Sequence, residues 1–112
     1  MKASVTAHAY APEPGLMRRV LTQGPQLMLV EHHMAEGWHG ARHRHPHEQL
    51  VYVLSGAIRV ICGEGPAFDA RVGDSFVVPG NVEHQVSALC ESHVLDVFTP
   101  IREDYLEAPA CV

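Results

Sequence analysis

The sequence predicts a single all-β domain, folded as a double-sheet jelly roll or small barrel. Eight short runs of apolar and β-branched residues follow one another within about 85 residues, with turn residues between them, a pattern typical of all-β domains. No helical periodicity of convincing length is present before the last dozen residues. Because open sheet edges are a liability, short and evenly spaced strands favour a closed or doubled arrangement.

The first half of the predicted fold contains four strands. The run LMRRVLT is bounded by Gly24-Pro25, and QLVYVLS is bounded by Ser55-Gly56. Both residue pairs favour turns, because glycine accepts a positive φ and proline fixes φ. The four predicted strands span residues 16–22, 26–34, 49–55 and 57–63.

The second half repeats the pattern. Gly73-Asp74 and Pro79-Gly80-Asn81 supply turns between its apolar runs. Its four predicted strands span residues 67–72, 74–79, 84–89 and 92–98, and residues 102–108 (REDYLEA) could form one helical turn ended by Pro109.

The chain has 112 residues, enough for one domain but too few for two that each bury a core. We expect one domain over residues 16–108, an irregular arm over residues 1–15, where prolines and a glycine cluster, and a tail over residues 109–112.

Charge and composition exclude several classes of protein. Eight basic against thirteen acidic residues give a net charge of −5 with no basic run, which argues against nucleic-acid binding. No apolar stretch approaches the roughly 18 residues of a membrane span, and the N-terminus lacks the apolar region of a secretory signal. We therefore expect a cytoplasmic protein. The three widely spaced cysteines (Cys62, Cys90 and Cys111) indicate neither a disulfide framework nor a thiolate zinc site.

Histidine is the outlier of the composition, because six of the nine histidines lie within residues 32–47. On a strand, His43 and His45 share a face with Cα atoms about 6 to 7 Å apart, close enough for one metal ion. Gln49 has the same parity but would lie roughly 13 Å from His45 on a straight strand. A bend is therefore required, and Pro46 is placed to make it.

A third histidine, His84, follows the turn at Pro79, where closure of the barrel could bring it opposite His43 and His45. The predicted ligand set is thus His43, His45, Gln49 and His84, holding one divalent transition metal (Ni, Zn, Mn, Fe or Co). The alternative is that these histidines belong to a polar surface loop. Glu48 has the wrong parity for this site.

Two segments of the chain match the two conserved motifs of cupins. They read Gly37-x5-His43-x-His45-x3-Gln49-x6-Gly56 and Gly73-x5-Pro79-x4-His84. The chain resembles a cupin over nearly its whole length, which implies a double-stranded β-helix, the cupin jelly-roll barrel. The resemblance also favours His43 and His45 over the competing pair His45 and His47.

The sequence departs from the cupin pattern at two positions. Gln49 stands where many cupins carry a glutamate ligand, and Asn81 where the second motif usually has glycine. A neutral amide leaves the centre with one more positive charge, which makes the ion a stronger Lewis acid toward an anionic substrate.

The segment LDVFTPIREDYL (95–106), together with HPHEQLVYVLSG and PGNVEH, resembles the KdgF group of small single-domain cupins. That resemblance implies metal-dependent conversion of cyclic 4,5-unsaturated uronates, left by pectin and alginate lyases, into their linear keto form. It also implies that Asp96 and Arg102 are catalytic and that Phe98 contacts the substrate.

The residues themselves leave alternatives open. Asp96 shares a strand face with Phe98 and could do acid–base work inside the barrel, or it could be a structural carboxylate paired with an arginine. Arg102 could clamp a substrate carboxylate, or it could be a solvated charge beside Glu103 and Asp104. Trp38 could stack on a sugar, or it could simply pack.

Two other functions compete with the uronate enzyme. One is an iron-dependent cupin dioxygenase, and the other is a non-catalytic cupin that binds a small molecule, because a cupin motif defines a site better than it defines a reaction. Related cupins are commonly dimers, and we expect a homodimer in which the two long first strands offer an edge.

Overall fold

The computed structural model describes residues 8–106, which form nine strands and one short helix. The strands are β1 (Tyr10–Glu13), β2 (Leu16–Gln23), β3 (Met28–Met34), β4 (Glu48–Ser55), β5 (Ala57–Cys62), β6 (Phe68–Arg71), β7 (Ser75–Val78), β8 (His84–Ala88) and β9 (Ser92–Thr99), and the helix is α1 (Glu103–Leu106). The eight predicted strands correspond to β2–β9, so the all-β prediction is confirmed. The helical turn is also present, whereas Pro109 and the tail over residues 109–112 lie outside the described residues.

The prediction of an irregular arm over residues 1–15 is wrong at Tyr10–Glu13. This stretch forms β1, which pairs with β2 in antiparallel register, and the turn between them contains Gly15 at φ +83°. Pro12 is tolerated because β1 lies at the edge of its sheet, where a missing N–H leaves no neighbouring strand unpaired. Residues 1–7 lie outside the described part.

The strands form two sheets, in the order β1-β2-β3-β9-β4-β7 and β6-β5-β8. The sheets face one another as a jelly roll, as the sequence predicts. The expectation that β2 or β3 offers an edge to a second subunit is wrong, because each has a strand on both sides. Among the described strands, β1, β6 and β7 lie at sheet edges, whereas the outer edge of β8 is hydrogen-bonded to residues 37–43.

The main core lies between the two sheets. Its buried side chains come from seven strands, β2 to β6, β8 and β9. Alternate residues point inward along a strand, and on β9, for example, every second residue is buried. The buried core residues are Leu16, Met34, Val51, Val53, Ile58, Val60, Ala70, Ala88 and Val94. Burying one of the larger aliphatic side chains stabilises the folded state by about 1.5–3 kcal/mol.

A smaller apolar cluster closes one end of the molecule. Met28 and Val30 of β3 pack there with Phe98 of β9 and Tyr105 of α1. The short helix thereby covers the end of the jelly roll next to the histidines. It is one turn long, and residues 8–106 contain no helix that could span a membrane.

Candidate metal centre

A cavity of about 190 Å³ lies inside the jelly roll. It is smaller than the roughly 300–1,000 Å³ of sites for drug-sized ligands, so it suits a small molecule. One side of its wall is polar and the rest is formed by core side chains such as Val51 and Ile58. The charged, imidazole and amide side chains are Glu13, Arg18, His32, His43, His45, Gln49, His84, Asp96 and Arg102.

Three of the predicted ligands meet at this wall. His43, His45 and His84 each offer one nitrogen, and these atoms all lie within 4.8 Å of one another. The backbones of His43 and His84 are bridged directly by hydrogen bonds of 3.0 and 2.8 Å. Barrel closure therefore brings His84 to the first pair, as the sequence predicts.

Backbone carbonyls set the tautomer of all three rings. The Nδ1 atoms of His43, His45 and His84 lie 2.9–3.0 Å from the carbonyl oxygens of Ala41, His47 and Val82. A carbonyl can only accept a hydrogen bond, so each Nδ1 carries the proton and each Nε2 keeps its lone pair. Fixing one ring nitrogen in this way is how proteins prepare histidine for metal binding.

Gln49 turns its side-chain oxygen toward His45. Its Oε1 lies 3.1 Å from Nε2 of His45, and its Nε2 donates to Oδ1 of Asp96 at 2.8 Å. Two lone pairs therefore face each other between Gln49 and His45, and a cation between them would satisfy both. The bend required at Pro46 is present, because the chain turns at residues 46–47 before β4 begins. Three imidazoles and an amide oxygen fit a divalent transition metal.

Burial keeps the rings of His45 and His84 neutral. Burial is the main cause that lowers the pKa of His45 to about 4, with the positive charges of Arg102 and His84 acting in the same direction. Burial also lowers the pKa of His84, and nearby His43 adds to the effect. Both rings are therefore unprotonated at neutral pH, the state in which imidazole binds a metal.

The turn after β7 holds the segment that carries His45. The backbone N–H of Asn81 donates to the carbonyl of His45 at 2.7 Å. A Cβ atom on Gly80 would lie only 2.5 Å from the carbonyl oxygen of Pro46, so this close approach requires glycine. Asn81, which replaces the usual glycine of cupins, adopts φ +64°, a conformation that asparagine tolerates better than most residues.

Asp96 is 3% exposed and lies at the centre of a chain of polar side chains. Its Oδ1 accepts from Gln49, and its Oδ2 lies 2.6 Å from Nδ1 of His32. Arg18 donates from Nε to Nε2 of His32 at 3.0 Å, so the proton of a neutral His32 is on Nδ1 and points at Asp96. The expected arginine partner is therefore absent from the described contacts of Asp96, and its partners are a histidine and an amide.

His32 is the functional-site residue that the sequence does not identify. It lies on the same face of β3 as the buried Val30 and Met34, so its parity alone indicates an inward side chain. Its contact with Asp96 depends on the pairing of β3 with β9 across 64 residues. A single sequence does not show which strands pair.

Arg102 lines the cavity but is not a solvated charge, since it is 9% exposed. Its Nε and Nη2 donate to the two carboxylate oxygens of Asp104 at 3.0 and 2.8 Å. Its guanidinium carbon lies 4.2 Å from the ring centre of Tyr105 and 5.0 Å from that of Phe98. One edge of the guanidinium is thus held by Asp104, and the Nη1 side is left for another anion.

Phe98 is not among the residues that line the cavity, so the expectation that it contacts the substrate is not met. It is 1% exposed and packs edge to face on His45 and Tyr105. Its parity on β9 points it inward, but the helix α1 covers it. Phe98 therefore packs against His45 and Arg102 outside the cavity and helps to hold both side chains in place.

Trp38 packs against the core, which is one of its two expected roles, and it also lines the cavity. Its half-buried ring lines the cavity and packs against the main core, and its Nε1 donates to Glu13 at 3.2 Å. The competing residues lie elsewhere: His47 is not in the histidine group, and Glu48 is exposed. His39 is also exposed and bonds Gln85.

Comparison with known proteins agrees with this architecture. The Cupin_2 (cupin domain) family matches residues 30–98. The chain is 37% identical over 94 residues to the pectin degradation protein KdgF of Dickeya dadantii, covering 82% of this chain and 84% of that protein.

Two solved structures share the fold. KdgF from a Halomonas species has a TM-score of 0.82 at 36% identity, covering 88% of this chain and 92% of that one. An RmlC-like cupin from Shewanella frigidimarina has a TM-score of 0.83 at 32% identity, covering 89% of each chain. The chain therefore belongs to the cupin family.

Proposed function

We propose that this cupin is a metal-dependent enzyme that converts cyclic 4,5-unsaturated uronates into their linear keto form during pectin or alginate breakdown. The observation that carries the proposal is that Asp96 and Arg102 line the same small cavity as the three histidines. The likeness to KdgF, a protein named for pectin degradation, supports the substrate class.

His43, His45, His84 and Gln49 would hold the metal ion. A divalent ion bound there would act as a Lewis acid on oxygen atoms of the substrate. None of the four donors is a carboxylate, so the site would keep its full positive charge for an anionic uronate. Nearby Asp96 would balance part of that charge without being a ligand.

Asp96 would move the proton. In ring opening the proton of the anomeric hydroxyl passes to Asp96, C1 becomes a carbonyl, and the bond between C1 and the ring oxygen breaks to leave an enolate. The enolate then takes that proton at C4 and becomes a ketone. The atoms balance without any other reactant, so the reaction is an isomerisation. A carboxylate held by Gln49 and His32 is fixed in position for both transfers.

Arg102 would orient the substrate. Its Nη1 side is directed away from the bond with Asp104, and a guanidinium can hold a carboxylate through two parallel hydrogen bonds. Trp38, on the wall of the same cavity, offers an aromatic surface for the sugar ring. The cavity of about 190 Å³ favours a single uronate over an oligosaccharide.

The experiment is to incubate the metal-loaded protein with a 4,5-unsaturated monouronate and follow the products by NMR. We expect the vinyl signal at C4 to disappear and signals of the linear keto form to grow faster than in buffer. Equal rates with and without protein would contradict the proposal. Oxygen consumption by an iron-loaded sample with aromatic or thiol substrates would instead indicate a cupin dioxygenase.

A further inference from the structure

We propose that Glu31, His33 and His93 form a second metal-binding site, on the outer face of the six-stranded sheet, that takes Zn²⁺ or Cu²⁺. Successive residues of a strand point to opposite faces. His32 of β3 faces the cavity, so its neighbours Glu31 and His33 face outward, and His93 of β9 lies beside them. The site is therefore separate from the histidines of the cavity.

The register of β3 and β9 brings the two imidazoles together. His33 and His93 are directly opposite one another, and their rings stack with centroids 3.8 Å apart at an angle of 15°. Glu31 lies two residues before His33 on the same face. One oxygen of Glu31 is 2.7 Å from Nε2 of His93, and the other is 3.9 Å from Nε2 of His33. One ligand atom from each residue lies within 4.8 Å of the other two.

The carboxylate of Glu31 is held in place by a third strand. Arg19 of β2 is opposite Glu31 in register, and its Nε and Nη2 lie 2.9 and 2.8 Å from Oε1. Burial opposes ionisation of Glu31, but His93 and Arg19 together keep its pKa below the ordinary value. The carboxylate is thus ionised and oriented before any metal arrives.

The donor chemistry selects the metal. Two imidazoles and one carboxylate suit zinc and copper, and Cu²⁺ is expected to bind more tightly than Zn²⁺. His33 is 54% exposed in its side chain, which gives an ion access and leaves coordination positions open to water. Because the ligands come from neighbouring strands, a bound ion would link β3 to β9 and stabilise the folded state.

The test counts zinc ions per chain in the full-length protein. The protein is stripped with a chelator, dialysed against excess Zn²⁺ and analysed for metal, alongside His33→Asn, His93→Asn and the control His39→Asn. We expect each of the first two variants to bind one zinc fewer per chain than wild type, whatever the cavity holds, while the control binds as many as wild type. Equal zinc in wild type and both variants would overturn the proposal.

A second readout is independent of the variants' folding. In a Cu²⁺ titration of the wild-type protein, the electron paramagnetic resonance signal that is added after one equivalent has filled the cavity should be split by two nitrogen ligands. An added signal of hydrated copper alone would overturn the proposal. Uronate turnover should be unchanged in His33→Asn, so failure of the proposed reaction and failure of this site remain distinguishable.

Discussion

Gln49 donates a hydrogen bond from Nε2 to Oδ1 of Asp96 at 2.8 Å, and this bond turns its Oε1 toward Nε2 of His45. A carboxylate can only accept a hydrogen bond, so Asp96 selects which end of the amide faces the histidines. A glutamate at position 49 would place two carboxylates against each other. Many cupins have a glutamate at the position of Gln49. In this chain an amide fits there better than a second carboxylate, because it can donate to Asp96.

We expect Gln49→Glu to destabilise the metal-free protein. Two like charges about 4 Å apart cost up to about 4 kcal/mol at an effective dielectric constant of 20, and the cost falls if one carboxyl takes up a proton. Urea unfolding at pH 7 with a chelator should show a loss of about 1–4 kcal/mol. Adding Asp96→Asn should recover most of it, because asparagine can donate to the new carboxylate.

The exposed substitution Gln23→Glu makes the same chemical change without a facing carboxylate, and its effect should lie within about 0.5 kcal/mol of zero. If Gln49→Glu is as stable as this control, Asp96 is not the reason that position 49 carries an amide.

Asp96→Asn should abolish most turnover of unsaturated uronates while the metal content stays at the wild-type level. The asparagine cannot take up the substrate proton, and losing a general acid–base group costs about 10²- to 10⁴-fold in rate. Steady-state kinetics and elemental analysis on the same sample measure both quantities. Asp69→Asn, which removes a carboxylate paired with Arg59 outside the cavity, is the matched control. Wild-type turnover in Asp96→Asn would remove Asp96 from the mechanism.

Arg102→Lys should raise KM for the uronate about tenfold, the equivalent of about 1.4 kcal/mol, with a smaller change in kcat. Lysine keeps the positive charge but loses the planar pair of donors that holds a carboxylate. It also loses the stacking on Tyr105. An unchanged KM would indicate that Arg102 serves only its ion pair with Asp104.

The metal-free protein should lose stability as the pH falls from about 6.5 to about 4. The pKa of His45 is lowered to about 4 in the folded state, against about 6.5 when unfolded. In this window the unfolded chain binds more protons, so acid favours unfolding. The free energy of unfolding should thus be lower at pH 5 than at pH 7, and His45→Gln should show a smaller difference. An equal difference in both proteins would contradict this assignment.

The sequence identifies the candidate ligands because their signals are local. Parity places His43, His45 and Gln49 on one face, and the two cupin motifs add His84. The link from Asp96 to His32 spans 64 residues and arises from the pairing of β3 with β9, which parity does not reveal. Phe98 illustrates the same limit, because parity turns it inward but does not show that α1 separates it from the cavity.

The most direct test of the proposed function couples metal content to turnover. Protein stripped by a chelator and then reloaded with Ni²⁺, Zn²⁺, Mn²⁺, Fe²⁺ or Co²⁺ is assayed by loss of the ultraviolet absorbance of the unsaturated uronate. We expect no activity above buffer without metal, restored activity with at least one of these ions, and none in reloaded His45→Gln. Full activity in the stripped protein, or none with any of the five ions, would contradict a metal-dependent uronate enzyme.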